Sequence, residues 1–127
     1  MSELRADTIT ASNGTSPVTL TKQSAAKLWC NLNGTGTIAL RDSFNVTSIL
    51  DNSTGNYTVT SVSSMSDANF VCCANAGRTA GDLLNASNNE TSYARTTSTL
   101  RTEINRSSSD TQYDASIVES MWMGDLA

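Results

Sequence analysis

Histidine is absent from the 127 residues, and with it goes the side chain that most often serves as general base or metal ligand near neutral pH. Ser-His-Asp and Cys-His nucleophilic sites, and every His-containing zinc site, are thereby excluded. Basic side chains are few: eight Lys and Arg stand against twelve Asp and Glu, for a net charge of −4. Arg5, Lys22, Lys27, Arg41, Arg78, Arg95, Arg101 and Arg106 are spread singly, so no basic footprint for nucleic acid exists. No run of 18 apolar residues is present to cross a membrane as a helix, and Met1-Ser2-Glu3 does not open a readable signal peptide. Large aliphatic and Phe residues are also scarce. Leu, Ile, Val and Phe number 23 of 127, a share at which chains tend towards disorder only if net charge is high, which it is not here.

Thr (18), Ser (19) and Asn (12) take the place of the missing apolar residues. Such a chain is either a repetitive β structure or a fold whose burial is completed by copies of itself. Eight Asn-x-Ser/Thr triplets occur, among them Asn33-Gly34-Thr35, Asn52-Ser53-Thr54 and Asn89-Glu90-Thr91; without a secretory route they follow from composition and do not mark glycans. Cys30, Cys72 and Cys73 cannot all pair within the chain, and they read as reduced, packed thiols of a protein made in a cytoplasm. Cys72 and Cys73 would point to opposite faces of a strand.

Residues 1–23 carry only Leu4, Ala6, Ile9, Val18 and Leu20 as apolar positions, with a turn at Asn13-Gly14 and the lone proline at Pro17. Two short stretches of this kind do not hold together alone in water, so the segment is expected to be an arm that packs on something else. From Lys27 the alternation is clearer. Leu28, Cys30 and Leu32 share one face of a strand over Lys27–Asn33, with Trp29 and Asn31 opposite. Gly34-Thr35-Gly36 reads as a hairpin turn, Thr37–Asp42 as a strand, and Asp42-Ser43 as a short connection. Phe44–Leu50 starts in phase and slips at Ile49, which suggests a bulge. A loop at 52–56 and a strand over Tyr57–Val62 follow.

Met65–Asn69 could form one helical turn before a strand at Phe70–Ala74. Asn75–Thr91 shows no period and is expected to be the longest loop. Thr96–Asn105 alternates with Leu100 and Ile104 opposed to Arg101 and Glu103, Ser107–Asp110 is a turn, and Ile117–Met123 is the closing strand. The expectation is an all-β chain, an N-terminal arm over 1–23 followed by short strands at roughly ten-residue spacing that read as a meander.

Candidate chemistry is thin. Asp42, Asp51, Asp67, Asp82, Asp110, Asp114 and Glu119 lie beside turn residues, where Asp hydrogen-bonds local backbone, although a carboxylate pair can in principle hydrolyse glycosides. Asp82 and Glu90 are the acids to test for that class. No calcium-loop spacing occurs. Trp29, Tyr57, Tyr93, Tyr113 and Trp122 could stack on sugars or pack between subunits, and packing is the commoner role of such aromatics. Asn85, Asn88, Asn89 and Tyr93 form the candidate recognition surface, because Asn and Tyr give adaptable contacts at low entropic cost.

Several motifs resemble those of one protein class. Leu4-Arg5-Ala6-Asp7-Thr8-Ile9 with Asn13-Gly14, the run from Ala25 to Gly36, Arg41-Asp42-Ser43-Phe44-Asn45-Val46, Gly55-Asn56-Tyr57-Thr58-Val59 and Met65–Phe70 resemble tail-fibre and related virion proteins of tailed bacteriophages, especially phages of marine and cyanobacterial type. The resemblance covers about residues 4–77. It implies a non-enzymatic structural protein of the virion, assembled in the host cytoplasm. The implied form is a homotrimer with an interlocking N-terminal arm over 1–23 and a β-sandwich domain over 24–127, the arm attaching to other virion proteins through Leu4, Ile9, Val18 and Leu20. It further implies a short tail fibre or tail tip engaged in host attachment, with a host cell-surface glycan or protein as receptor and with no cofactor, metal or catalytic residue. The alternative is an assembly adaptor, or a capsid or tail decoration, that stabilises the particle without touching a receptor. Longer fibres carry a shaft before this module, whereas here the motif starts at residue 4, which suits a tip or plug.

Overall fold

The computed structural model describes residues 25–77, 83–88 and 93–127. The expected arm over 1–23, with Leu4, Ile9, Val18 and Leu20, lies outside the described residues. Every element within them is a strand: β1 (Ala26–Asn33), β2 (Ala39–Phe44), β3 (Val46–Ser53), β4 (Asn56–Ser61), β5 (Val71–Gly77), β6 (Leu84–Asn88), β7 (Thr99–Arg106) and β8 (Ile117–Met123). They form two four-stranded antiparallel sheets, ordered β2-β1-β8-β5 and β3-β4-β7-β6. The chain is all-β, as the alternation of its residues led us to expect, and its two antiparallel sheets pack together as the sandwich that the resemblance implies.

Alternation builds the core. Leu28, Cys30 and Leu32 of β1 and Val118, Ser120 and Trp122 of β8 face inward, against Tyr57 and Val59 of β4 and Leu100, Thr102 and Ile104 of β7. Trp122 is fully buried, with its ring stacked on Phe70 at 4.8 Å between centroids. Its indole N–H donates to Ser120 Oγ at 2.9 Å, which satisfies the one polar atom of a large apolar side chain. Burial of each such large side chain is worth roughly 1.5–3 kcal/mol, and twelve apolar residues are buried among the described residues.

One clamp ties three loops together at the far end of the sandwich. The Tyr57 hydroxyl lies 2.9 Å from both Gly34 O and Asp114 Oδ1, and Gly55 N donates to the same Asp114 oxygen at 2.6 Å. Gly34 must be glycine, because an added Cβ would sit 2.4 Å from the Tyr57 hydroxyl oxygen. Gly55 turns the β3–β4 hairpin at φ +66, a conformation that Gly adopts without strain.

Four details depart from the sequence reading. Strand β2 runs through Asp42-Ser43 to Phe44, and the connection to β3 falls at Asn45, whose positive φ of 60 makes the turn. Asn45 is suited to that role because its amide donates to Lys27 O and Ser63 O while its Oδ1 accepts from Ser63 N. The slip expected near Ile49 occurs earlier, between Val46 and Ser48. Met65 does not start a helical turn; it bridges Leu126, with Ala127 N donating to Ser64 O. Finally, Asn75–Thr91 is not a loop throughout. Strand β5 continues to Gly77, and Leu84–Asn88 is edge strand β6, with Leu84 and Ala86 turned inward. Its small and amide side chains gave no period strong enough to read.

Candidate functional site

The two outer faces of the sandwich differ. On β3-β4-β7-β6 the outer side chains are mostly polar and bonded to one another, although Leu50 of β3 is exposed on this face too. Asn56 donates to Glu103 Oε1 at 2.8 Å and accepts from Arg101 Nε, and Gln112 donates to Glu103 at 3.2 Å. The Arg101 guanidinium lies 3.4 Å from the centre of the Tyr93 ring. This is the solvated face that an antiparallel sheet normally presents.

The outer face of β2-β1-β8-β5 is built otherwise. The β1–β2, β1–β8 and β5–β8 registers align Phe44, Trp29, Met121 and Cys73 in one cross-strand row. All four are exposed, Trp29 by 38% and Phe44 by 53%. Val71 and Ile117 lie outward on the same sheet and are exposed too. Exposed apolar rows on a sheet's solvent side are the kind of surface that binding sites use.

The next row is wholly polar: Asp42, Asn31, Glu119 and Asn75. Asn31 and Asn75 each donate to a different oxygen of Glu119, both at 3.2 Å. Arg41 donates to Asn31 Oδ1 at 3.2 Å and to Leu32 O at 3.0 Å. The register slip between Asn31 and Leu32 places Arg41 as the extra residue of β2, so its side chain returns across the row. Between the two rows runs an open groove of about 520 Å³, lined by Trp29, Asn31, Asp42, Cys73, Asn75, Glu119 and Met121 among others, a volume in the range of small-ligand sites.

The thiols differ in environment. Burial pushes the Cys30 thiol up to about 11, against a backbone hydrogen bond at Ser120 that acts the other way. Burial also raises Cys72, whose sulfur lies 3.4 Å from Ser120 Oγ. Both are therefore protonated at neutral pH and poor nucleophiles. Cys72 and Cys73 do face opposite sides, Cys73 outward beside Met121. Among the described residues, no group of three His, Cys, Asp or Glu is placed to hold a metal.

Of the residues expected to form a recognition surface, Asn85 and Tyr93 lie on the outer face of β3-β4-β7-β6, where Asn85 pairs with Asn105 and Tyr93 stacks on Arg101. Asn85 is exposed on the outer side of β6, whereas Asn88 turns inward beside the Cys72 thiol. Tyr93 is exposed by 49% with Arg101 over its ring. Asn89 lies outside the described residues, as do Asp82 and Glu90. The groove was not anticipated, although the signal was present: Trp29, Ile117 and Met121 fall on the polar phase of strands whose other phase is the core. The chain matches no protein-family model, no curated protein and no solved structure.

Proposed function

We propose that the chain is a structural component of a bacteriophage virion, a short tail fibre or tail-tip protein that takes part in host attachment without catalysis and works as a homotrimer. The observation that carries this reading is the outer face of β2-β1-β8-β5, where an exposed apolar row adjoins a row of fixed polar groups. Such a surface suits binding. The motif resemblance across residues 4–77 supports the virion setting, and a chain with few large apolar residues gains stability when symmetric copies cover one another. The arm carrying Leu4, Ile9, Val18 and Leu20 serves as the link to other virion proteins.

Antibody raised against the purified chain, viewed by electron microscopy on intact particles, tests the placement. Label at the distal end of the tail, together with blocked adsorption to the host, is the expected result; label on the head shell or no label overturns it. Light scattering after size-exclusion chromatography tests the assembly, with about 40 kDa expected for three 13.5 kDa chains.

The exposed apolar row also suits a second reading, an adaptor or decoration whose face is covered by a neighbouring virion protein. In that case the antibody would label the particle without affecting adsorption.

A further inference from the structure

We propose that the groove on the outer face of β2-β1-β8-β5 binds a neutral hexopyranose glycan, with Trp29 as the stacking platform and the Asn31–Glu119–Asn75 row as the hydrogen-bonding edge. The proposal deepens the attachment reading, on which it rests, by giving the ligand its chemical class.

A pyranose ring has two kinds of surface. Its C–H faces are apolar and flat enough to lie on an indole, while its rim is a series of hydroxyls, each a donor and an acceptor. The groove offers both in adjoining rows. Trp29 is exposed on the sheet between Phe44 and Met121. One register step away, planar side chains are already held in place by one another: Asn31 and Asn75 to Glu119, and Arg41 to Asn31. Each amide keeps one N–H free of these bonds, and Asn75 keeps its carbonyl oxygen free of them. Little rotamer freedom remains to be lost on binding, which is what makes a preorganised site effective. Four strands span about 14 Å at the usual spacing, the reach of a short oligosaccharide laid across them.

Charge narrows the ligand. Asp42 and Glu119 both line the groove, and the chain carries a net charge of −4. Against them stands one guanidinium, Arg41, already bonded to Asn31 and Leu32 O, so the two carboxylates leave the groove negative, which disfavours phosphate-bearing ligands and acidic sugars, whereas neutral hydroxyls donate well to carboxylates. The same carboxylates argue against a second copy of the chain as the occupant. Covering Glu119 with a protein surface would take a charged group out of water, which is costly unless it is fully paired.

The full-length chain is applied to an array of neutral oligosaccharides of glucose, galactose, mannose and N-acetylhexosamines, and Trp fluorescence is titrated with the best binder. Because Trp122 is fully buried, a change in emission reports on Trp29. Binding to at least one such glycan is expected, weakened about tenfold or more by Trp29→Ala and by Asn31→Ala, with Asp51→Asn on the other sheet as a neutral control. Unchanged thermal unfolding of the variants separates lost binding from lost folding. Binding that survives Trp29→Ala overturns the proposal. Dissociation of an oligomer by Trp29→Ala would assign the face to a second copy and also overturn it. Absence of glycan binding by a protein that still labels the tail tip and blocks adsorption refutes the glycan while leaving attachment in place. Glycan binding by a protein found on the head shell would do the reverse.

Discussion

Replacing Tyr57 with Phe isolates one hydroxyl. The ring stays, so no cavity opens, but Gly34 O and Asp114 Oδ1 both lose the group that lies 2.9 Å from each. Asp114 retains its bond from Gly55 N, whereas the Gly34 carbonyl is left buried without it. Such a loss costs about 1–3 kcal/mol, a sizeable part of the 5–15 kcal/mol typical of a domain. At about 4–8 °C per kcal/mol for a domain near 100 residues, the melting temperature should fall visibly. A second signature follows from pH. Burial holds the Tyr57 phenol far above its usual value of 10, and the neighbouring Asp114 adds to the effect. The folded protein therefore keeps this proton where the unfolded chain releases it. The resulting stabilisation is complete below pH 10 and is lost as pH rises past it, at up to about 1.4 kcal/mol per pH unit. Urea unfolding from pH 8 to 11 should show wild type losing stability faster above pH 10 than Tyr57→Phe. Any contribution from Cys30, also raised by burial, is common to both proteins. Equal urea midpoints at pH 8 and parallel curves above pH 10 would refute the clamp.

Three further outcomes are expected. Thr102 is buried with its Oγ1 lacking a hydrogen-bond partner, so Thr102→Val should raise stability by about 1 kcal/mol, read as a higher urea midpoint. Asn45 holds a positive φ of 60 and three side-chain hydrogen bonds; Asn45→Ala should be less stable than Asn45→Gly by about 1 kcal/mol, since only Gly escapes the left-handed penalty. Iodoacetamide at pH 8 should modify exposed Cys73 first, with buried Cys30 and half-buried Cys72 reacting only on unfolding, a sequence that intact-mass spectrometry would resolve.

Strand existence was largely legible in the sequence. The alternation of Leu28, Cys30 and Leu32, and of Leu100 and Ile104, located β1 and β7, and the closing strand was read at its observed limits of Ile117–Met123. Edge strand β6 was not legible, because Leu84 and Ala86 alternate with Asn85 and Ser87 over only five residues. The turn at Asn45 was missed for a different reason: a positive φ at a non-glycine depends on bonds to Lys27 and Ser63, each eighteen residues away. The groove was the least readable feature. Trp29 and Asn31 could be placed opposite the core face of β1, but the rows they join exist only once β1 pairs with β8. Asn31 and Glu119 stand 88 residues apart in sequence, and no local pattern carries that register.

The pairing of Ala26 with Met123 has a mechanical consequence. β1 enters the sandwich, and β8 leaves it, on adjacent antiparallel strands at the same pole. Tension applied between these two positions would part the β1–β8 ladder like a zip, one rung at a time, with each hydrogen bond meeting the load alone. Tension between the Ala26 end and a partner gripping the opposite pole, near the Gly34–Ala115 hydrogen bond, would pull along the strands and load many rungs together. The same fold is thus weak when drawn by both termini and strong when anchored at one pole and pulled at the other, a contrast that single-molecule stretching along the two axes would read directly.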